Sequence, residues 1–237
     1  MPNATVCLPT YNERENLEPM LRALAPLGVD VLVIDDNSPD GTGEIADRLA
    51  EELDFVRVLH RERKEGLGPA YLAGFRRALA AGADYVLELD CDFSHDPKDV
   101  SRLLAACESG ADLALGSRYV AGGGTENWGL PRRVVSWGGS FYARAILGIR
   151  VRDLTGGFKC FRRTVLEALD LDAIHSRGYA FQIETTYRAA RKGFRIVEVP
   201  IRFVDRTAGH SKMSRAIFLE AVWKVPLLRI AALAGRF

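Results

Sequence analysis

The residues most suited to chemistry are Asp90 and Asp92, which stand one residue apart at the end of the apolar run Tyr85-Val86-Leu87-Glu88-Leu89. In an extended strand the side chains alternate between faces, so both carboxylates are predicted to project the same way and to share one divalent cation. A hard cation such as Mg²⁺ takes one or two protein carboxylates and leaves its other positions to water and substrate phosphates. The pair therefore predicts a metal site for a nucleotide diphosphate, although many strands simply end in solvated acids.

Length and charge narrow the classes of protein to which the chain can belong. Its 237 residues are enough for one large α/β domain, and 32 Lys+Arg against 31 Asp+Glu leave a formal charge of only +1. No global basic field is present, so we predict no nucleic-acid partner.

The spacing of the cysteines and the distribution of apolar residues indicate in which cellular compartment the protein is expected. The cysteines are widely spaced and form no Cys-x-x-Cys pair, which predicts reduced thiols in a cytosolic protein; they are Cys7, Cys91, Cys107 and Cys160. The start of the chain lacks the basic and hydrophobic regions of a signal peptide. No uncharged apolar run reaches about eighteen residues, so no membrane span is predicted.

Strands and helices alternate along most of the chain, which predicts an α/β fold with a mostly parallel sheet and helices on both faces. The predicted strands are 4–8, 29–34, 55–59, 85–89 and 111–116, and a strand pair broken at Pro200 is expected over 194–204. Asn12 can cap the first predicted helix, and Ile45, Leu49 and Leu53 mark the second, after the turn 37–41. Further helices are predicted from Gly66 to Leu79 and from Asp96 to Cys107, and over 132–147, 180–192 and 214–237. In such folds ligands bind at the carboxyl ends of the strands.

Glycine and proline suggest further local features. Gly122-Gly123-Gly124 predicts a mobile loop, and residues 155–159 a turn-rich link. The pair Gly138-Gly139 would allow close packing or bending of its helix, and Pro226 is expected to bend or break the last helix.

Polar clusters end three of the predicted strands. They are Pro9-Thr10-Tyr11-Asn12-Glu13, Asp35-Asp36-Asn37-Ser38 and Asp90-Cys91-Asp92-Phe93-Ser94-His95. Each could be ordinary turn chemistry, but adjacent parallel strands would bring all three to one edge of the sheet. There Tyr11 could line a nucleotide pocket, Glu13 and Asp36 could accept hydrogen bonds from ribose or base, and the third cluster would hold the metal.

Several motifs occur in a fixed order between position 9 and about 212. They are Pro9-Thr10-Tyr11-Asn12-Glu13-Arg14-Glu15-Asn16-Leu17, Asp35-Asp36-Asn37-Ser38-Pro39-Asp40-Gly41-Thr42, Gly66-Leu67-Gly68, Ser117-Arg118-Tyr119, Thr155-Gly156-Gly157-Phe158 and Gly178-Tyr179-Ala180-Phe181-Gln182. This order resembles that of the polyprenol (dolichyl) phosphate mannosyltransferases, which are inverting glycosyltransferases of family 2. The resemblance implies a nucleotide-diphospho-sugar transferase fold of the GT-A type and transfer of mannose from GDP-mannose to a polyprenyl monophosphate.

The resemblance also implies roles for individual residues. Pro9, Tyr11, Glu13 and Asp36 would bind the nucleotide, Asp90 and Asp92 would bind Mg²⁺ or Mn²⁺ at the pyrophosphate, and Ser94 stands where some relatives carry a further ligand. The backbone of Cys91 could serve the sugar or the nucleotide, and Ile34 and Gly66 complete the predicted substrate-binding residues on the donor side. The glycosyltransferase domain would span 1–213, with a nucleotide-binding half to about 118, an acceptor half over 119–213, and an apolar helical segment over 214–237.

A phosphate acceptor changes what the catalyst must provide. Its second pKa is about 6, so the phosphate is already mostly ionised at neutral pH and needs no general base. It needs cations instead, and the candidates are Arg118, Arg132, Arg133, Arg206 and Lys212, since arginine forks match phosphate oxygens. We predict Asp92, Arg118 and Arg206 as the catalytic residues. His95 is expected to pack nearby rather than to bind the metal, because hard cations prefer oxygen ligands.

Other functions fit parts of the sequence. Gly41-Thr42-Gly43-Glu44-Ile45-Ala46 formally matches a dinucleotide-binding fingerprint, but it follows the second strand behind an acidic loop that would repel a pyrophosphate. A nucleotide-sugar-binding module without transferase activity and a glucosyl or other hexosyl transferase remain open alternatives. A lipid acceptor would place the protein on the cytosolic face of a membrane, which residues 134–147, the C-terminal segment or a separate membrane-anchoring subunit could contact.

Overall fold

A seven-stranded sheet forms the centre of the fold in the computed structural model, which describes residues 3–176, 178–205 and 215–235. Its strands are β1 (Ala4–Thr10), β2 (Asp30–Asp35), β3 (Val56–His60), β4 (Tyr85–Glu88), β5 (Leu113–Ser117), β7 (Lys159–Arg162) and β8 (Ile196–Pro200). Two short strands, β6 (Gly124–Glu126) and β9 (Arg202–Val204), pair separately. The helices are α1 (Leu17–Leu24), α2 (Thr42–Glu52), α3 (Leu67–Ala80), α4 (Asp99–Glu108), α5 (Leu130–Leu147), α6 (Arg163–Ala168), α7 (Gly178–Arg191) and α8 (Arg215–Leu233).

The strand order is β3-β2-β1-β4-β7-β5-β8, and only β7 runs antiparallel to its neighbours. The prediction of a mostly parallel α/β sheet is therefore confirmed. The strand β7 itself was missed, because its four residues are too few to show a clear alternation and follow a glycine-rich turn. Because β7 runs antiparallel to both β4 and β5, β5 runs parallel to β4 and ends at the same edge of the sheet.

Apolar strands make the sheet a core with two covered faces, as expected where helices lie on both sides. Along β1, Val6 and Leu8 pack with α1, α2 and α4, whereas Cys7 packs with α3, α6 and α7 on the opposite face. The same alternation separates Val33 from Ile34 in β2. The helices predicted on both faces are thus confirmed, and all four cysteines are buried and free.

A third apolar cluster joins α5, α7 and α8 beside the sheet. Leu147, Tyr187 and Leu228 are buried there, and the Tyr142 hydroxyl donates a hydrogen bond to the Val222 carbonyl at 2.9 Å. The helix α8 continues through Pro226, so the expected break is wrong. Among the residues that the structure describes, no helix is both long and apolar enough to cross a bilayer.

Several local predictions need correction. The helix α1 begins after Asn16, and Asn12 instead adopts a left-handed backbone with φ of 57°. Gly124 opens β6, so part of the predicted loop is a strand. Apart from its chain neighbours and its own helix backbone, a Cβ atom at Gly138 or Gly139 would meet no atom within 4 Å among the described residues, so neither glycine serves close packing there.

Residues 194–204 do contain two strands, but these strands do not pair with each other. The strand β8 pairs with β5, whereas β9 pairs with β6, so the chain leaves the main sheet after Pro200. The proline lacks an N–H group and suits this exit from the ladder.

Candidate active site

The three polar clusters meet at one edge of the sheet because β2, β1 and β4 are consecutive parallel strands. The Asp36 backbone N–H donates to the Thr10 carbonyl at 3.0 Å, and the Asn12 N–H donates to the Ser38 hydroxyl at 3.1 Å. The first two clusters are therefore joined directly. The third lies on the other side of β1, and Arg118 follows β5 at the same edge.

Asp90 and Asp92 lie in a turn rather than in a strand, since β4 ends at Glu88. The alternation of an extended strand therefore does not set their directions, and that part of the prediction is wrong. A tertiary contact positions Asp90, since the Tyr71 hydroxyl donates to Asp90 Oδ1 at 3.0 Å. A local contact within the turn positions Asp92, since the Ser94 N–H donates to Asp92 Oδ1 at 3.0 Å. Burial raises the pKa of Tyr71 well above its usual value, which keeps this donor protonated.

The donor atoms of this turn fit a hard cation. Ser94 is 1% exposed, and its Oγ has no hydrogen-bond partner among the described residues. Within that part of the chain no group of three or more His, Cys, Asp or Glu side chains could hold a metal. The protein would thus contribute two carboxylates and a hydroxyl oxygen, and phosphate oxygens or water would complete the coordination, as is usual for Mg²⁺.

His95 packs beneath the turn. It is 3% exposed, and its ring lies 4.9 Å from that of Phe158 and 5.0 Å from that of Phe203. Burial lowers the pKa of His95 to about 4, so the imidazole is neutral at physiological pH. These contacts agree with the packing role expected for it.

The predicted nucleotide-binding residues surround the first two strand ends. Pro9 lies in β1, and the Lys64 ammonium stands 3.8 Å above the centre of the Tyr11 ring. The Glu13 carboxylate accepts a hydrogen bond from the Asn16 amide at 2.9 Å. These side chains are held in place at the strand ends, as the sequence led us to expect.

Asp36 is paired with Arg61, a residue that the sequence analysis missed. Asp36 Oδ1 lies 2.5 Å from Arg61 Nη1, and both side chains are largely buried. Burial raises the pKa of Asp36 although Arg61 opposes the shift. A charged residue directly after β3, the next strand of the sheet, was the signal that could have identified Arg61.

Three of the predicted substrate-binding residues could offer mainly their backbone. Ile34 is fully buried, and Cys91 is 3% exposed within the core. Gly66 precedes α3 with φ of 105°, a conformation that favours glycine.

Arg118 forms a buried, bidentate ion pair with Asp153. No signal in the sequence indicated Asp153 as this partner. Arg118 Nε donates to Asp153 Oδ2 at 2.7 Å and Nη2 donates to Oδ1 at 2.6 Å, while Nη2 also donates to the Thr155 hydroxyl at 2.9 Å. Burial alone would lower the pKa of Arg118, but attraction to Asp153 outweighs it and raises the pKa. The guanidinium is thus fixed at the sheet edge rather than extended into solvent.

The small sheet of β6 and β9 links Arg118 to the aspartate turn. The Val204 N–H donates to the Ser94 carbonyl at 3.0 Å, and the Arg118 guanidinium lies 5.6 Å and 5.5 Å from the ring centres of Trp128 and Phe203. These aromatic contacts carry no periodicity in the sequence, so only the structure identifies them.

The other basic residues predicted to bind the acceptor differ in their contacts and exposure. Arg132 Nη1 donates to Asp205 Oδ2 at 2.6 Å and its guanidinium stacks 4.3 Å from the centre of the Trp128 ring, whereas Arg133 is exposed on the first turn of α5. Arg206 and Lys212 lie outside the described residues.

A buried charged network underlies the turn. Lys159 Nζ lies 3.8 Å from Glu88 Oε2 and donates to the Gln182 carbonyl at 2.9 Å and the Thr185 hydroxyl at 3.1 Å. Burial raises the pKa of Glu88 to about 7 and lowers the pKa of Lys159 to about 8. The network ties β4 to β7 and α7 immediately before the aspartates.

A mostly parallel sheet with acids, a buried arginine and an oxygen-rich turn at its carboxyl edge is the architecture of GT-A nucleotide-diphospho-sugar transferases. The chain belongs to glycosyl transferase family 2, whose family model matches residues 5–170. It is therefore a glycosyltransferase.

Two curated relatives match nearly the whole chain. An undecaprenyl-phosphate mannosyltransferase of Micrococcus luteus is 52% identical over 227 residues, which are 95% of this chain and 93% of the relative. A polyprenol monophosphomannose synthase of Mycolicibacterium smegmatis is 51% identical over 223 residues, which are 93% of this chain and 84% of the relative.

Solved structures share the fold at lower identity. Glucosyl-3-phosphoglycerate synthase of Mycobacterium tuberculosis, in complex with Mn²⁺, UDP and glucosyl-3-phosphoglycerate, has a TM-score of 0.65 at 23% identity and covers 99% of this chain and 80% of its own. The mannosyltransferase PcManGT of Pyrobaculum calidifontis, in complex with GDP-Man and Mn²⁺, has a TM-score of 0.59 at 17% identity and covers 99% and 74%. The predicted GT-A fold is confirmed.

Proposed function

We propose that this glycosyltransferase moves mannose from GDP-mannose to a polyprenyl monophosphate, with inversion at the sugar and with Mg²⁺ or Mn²⁺ as cofactor. The observation that supports this most directly is sequence identity of 52% and 51% to two relatives named for mannosyl transfer to polyprenyl phosphate, over 93% and 84% of their lengths. The reaction takes place at the cytosolic surface of a membrane, because the acceptor is a lipid.

The chain's own residues divide the work between donor and acceptor. Tyr11, Glu13 and Asp36 hold the nucleotide at the ends of β1 and β2, and Asp90 and Asp92 would hold the cation, with Ser94 Oγ nearby. When bound, the cation acts as a Lewis acid that stabilises negative charge on the departing nucleoside diphosphate.

The acceptor half contributes orientation rather than proton transfer. A phosphate monoester is mostly ionised at neutral pH, so no general base has to deprotonate it. Arg132, with Arg206 and Lys212, would receive this anion, while the pair of Arg118 with Asp153 fixes the sheet edge against which it sits. Approach of one anion to another requires such positive charge, since unscreened repulsion would oppose it.

One assay tests the proposal. Labelled GDP-mannose or GDP-glucose is offered with polyprenyl phosphate, with and without chelator, to the wild type and to Asp92→Asn, which keeps the size of the side chain but removes its charge. We expect a lipid-linked mannose product that chelation abolishes and that Asp92→Asn reduces by at least roughly 100-fold, since several kcal/mol of charge stabilisation are lost.

The matched control is Asp96→Asn, which alters an acid just outside the turn and is expected to retain activity. Preferential transfer from GDP-glucose would replace the sugar assignment. Donor binding without any lipid-linked product would indicate a binding module, and transfer that resists both chelation and Asp92→Asn would refute the metal site.

A further inference from the structure

The segment between β6 and Asp153 concentrates positive charge. Residues 127–152 contain no Asp or Glu and five arginines, although the whole chain has a formal charge of only +1. The arginines are Arg132, Arg133, Arg144, Arg150 and Arg152. Most of this segment is the helix α5, so one helix and the turn after it carry net positive charge with no acid of their own.

The same helix exposes an apolar stripe. Leu130, Val134, Trp137 and Phe141 follow a spacing of four, three and four residues, which places them on one face of the helix. Their exposed fractions are 72%, 58%, 55% and 49%. A helix of a soluble protein normally turns such a face toward the core, yet α5 buries Ser140, Ala143 and Leu147 instead.

A cavity of about 330 Å³ lies beside this stripe. Trp137 and Phe141 form an aromatic wall, with ring centres 5.4 Å apart and planes inclined by 14°. Arg144 and Arg152 also line the cavity, and the Arg144 guanidinium lies 5.6 Å from the centre of the Phe141 ring. Within residues 3–176, 178–205 and 215–235, neither guanidinium forms an ion pair with a carboxylate, whereas Arg118 and Arg132 do.

We infer that α5 docks on an anionic phospholipid bilayer and that the cavity receives the phosphate of a lipid headgroup. A basic helix with large apolar and aromatic side chains on one face binds membrane interfaces, where the apolar face enters the acyl boundary and the cations meet anionic lipids. Arginine forks match phosphate oxygens, and the amphipathic indole of Trp137 suits the headgroup level. This headgroup site uses Arg144 and Arg152, and so differs from the acceptor site proposed around Arg132.

The neighbouring helix extends the apolar surface. The helix α8 packs beside α5, since Arg229 Nη1 donates to the Leu147 carbonyl at 3.2 Å, and it leaves Trp223, Leu227 and Ile230 exposed. An exposed apolar surface of this kind in a monomeric protein marks an interaction site. The absence of acids from residues 127–152 favours an anionic bilayer as the occupant over a second copy of the same positively charged face.

Vesicle flotation tests the inference without donor or acceptor. Vesicles contain phosphatidylcholine alone, or phosphatidylcholine with about one third phosphatidylglycerol, and no polyprenyl phosphate. We expect the wild type to bind only the anionic vesicles and to dissociate in high salt. The double variant Arg144→Gln/Arg152→Gln should bind roughly 30-fold more weakly, given about fivefold for each basic residue near an anionic surface. Trp137→Ser/Phe141→Ser should abolish binding through loss of buried apolar area.

The matched control is Arg77→Gln/Arg191→Gln, which removes the same charge from exposed positions outside this segment. Equal weakening by both arginine pairs would overturn the headgroup site. Equal binding to both kinds of vesicle, or self-association through α5 in place of vesicle binding, would overturn the docking surface. Melting curves equal to that of the wild type establish that each variant is folded.

The inference rests on the proposed function only in taking the acceptor to be a membrane lipid. Transfer to a short, water-soluble prenyl phosphate separates the two: the docking variants should keep this activity while losing transfer to long acceptors in vesicles. If the wild type transfers to neither acceptor, the proposed function fails, and flotation still decides the docking surface.

Discussion

Individual side chains at the sheet edge owe their positions to partners that lie far away in the sequence. Asp90 is held by Tyr71 of α3, Asp36 by Arg61, and Arg118 by Asp153. Each of these contacts fixes a charged group before substrate arrives, and such preorganisation lowers the cost of binding charge. The side chains proposed for chemistry at this edge therefore depend on partners such as Tyr71, Arg61 and Asp153 for their orientation.

The Tyr71 hydroxyl offers a test of this support. Tyr71→Phe keeps the ring that stacks with Phe75 and Phe181 at 6.0 Å but removes the donor to Asp90. Loss of an outer hydrogen bond to a metal ligand typically costs 10–100-fold in metal affinity or activity. We expect the Mn²⁺ concentration for half-maximal transfer to rise by about tenfold or more, with activity restored at high Mn²⁺.

Phe75→Leu is the control for this prediction, because it disturbs the same aromatic cluster without touching the hydrogen bond. If both variants shift the Mn²⁺ requirement equally, the hydroxyl is not what orients Asp90.

The buried pair Glu88 and Lys159 permits a second test at this scale. Removal of one member of a buried ion pair leaves an uncompensated charge and typically costs 3–5 kcal/mol. We expect Lys159→Met to lower the free energy of unfolding by about this amount in urea titrations. The double variant Glu88→Met/Lys159→Met should lose less free energy of unfolding than the two single variants lose together, since it leaves no unpaired buried charge. Strict additivity would contradict the coupling.

Helix packing against the sheet depends on glycines whose roles differ. At Gly68 in α3, a Cβ atom would lie 2.5 Å from the Ser176 carbonyl oxygen and 3.2 Å from the Phe181 ring. The helix can approach its neighbours closely there only without a side chain. At Gly138 in α5, apart from its chain neighbours and its own helix backbone, an added Cβ atom would meet nothing within 4 Å in the described part of the chain.

These two positions form a matched pair for Gly→Ala substitution. Gly68→Ala should destabilise the protein by about 1–3 kcal/mol through overpacking. Gly138→Ala should stabilise it by about 0.5–1 kcal/mol, because alanine loses less backbone entropy on helix formation. Thermal or urea unfolding measures both, and a stabilised Gly68→Ala variant would show that α3 is free to move away from residue 176.

At the scale of the whole molecule, the proposed donor site lies between elements that are distant in sequence but adjacent in the sheet. A nucleoside diphosphate and a cation that share this edge should bind cooperatively, since each neutralises charge on the other. Ligand bound only by the folded state raises stability by about 2.7 kcal/mol at a hundredfold excess over Kd. For a protein of this size that corresponds to a rise in Tm of roughly 5–10 °C.

We expect GDP with Mn²⁺ to raise Tm by more than the sum of the two separate shifts. In Asp92→Asn this excess should disappear, whereas Asp96→Asn should retain it. Additive shifts in the wild type would indicate that the cation and the nucleotide occupy independent sites.

Much of this organisation could be predicted from the sequence because it depends on local patterns. The apolar runs of β1, β2 and β4 predicted strands covered on both faces, and their polar ends predicted one shared edge. The order of the motifs predicted the family. What the sequence predicted incorrectly depends on neighbours. Asn12 does not cap α1, the chain does not break at Pro226, which was one of the two expected effects, and Gly138-Gly139 does not serve close packing, which was one of its two expected roles.

The sequence by itself determined the α/β alternation and the acids at the strand ends, since both follow from the local periodicity of apolar residues. Only the tertiary structure decided that β7 enters the sheet antiparallel, that Tyr71 holds Asp90, and that Arg118 is paired with Asp153. It also left the apolar stripe of α5 exposed, although its spacing in the sequence is that of a buried face. The physical reason is that periodicity specifies which face of an element is apolar, whereas the partner of that face depends on contacts between residues far apart in the chain.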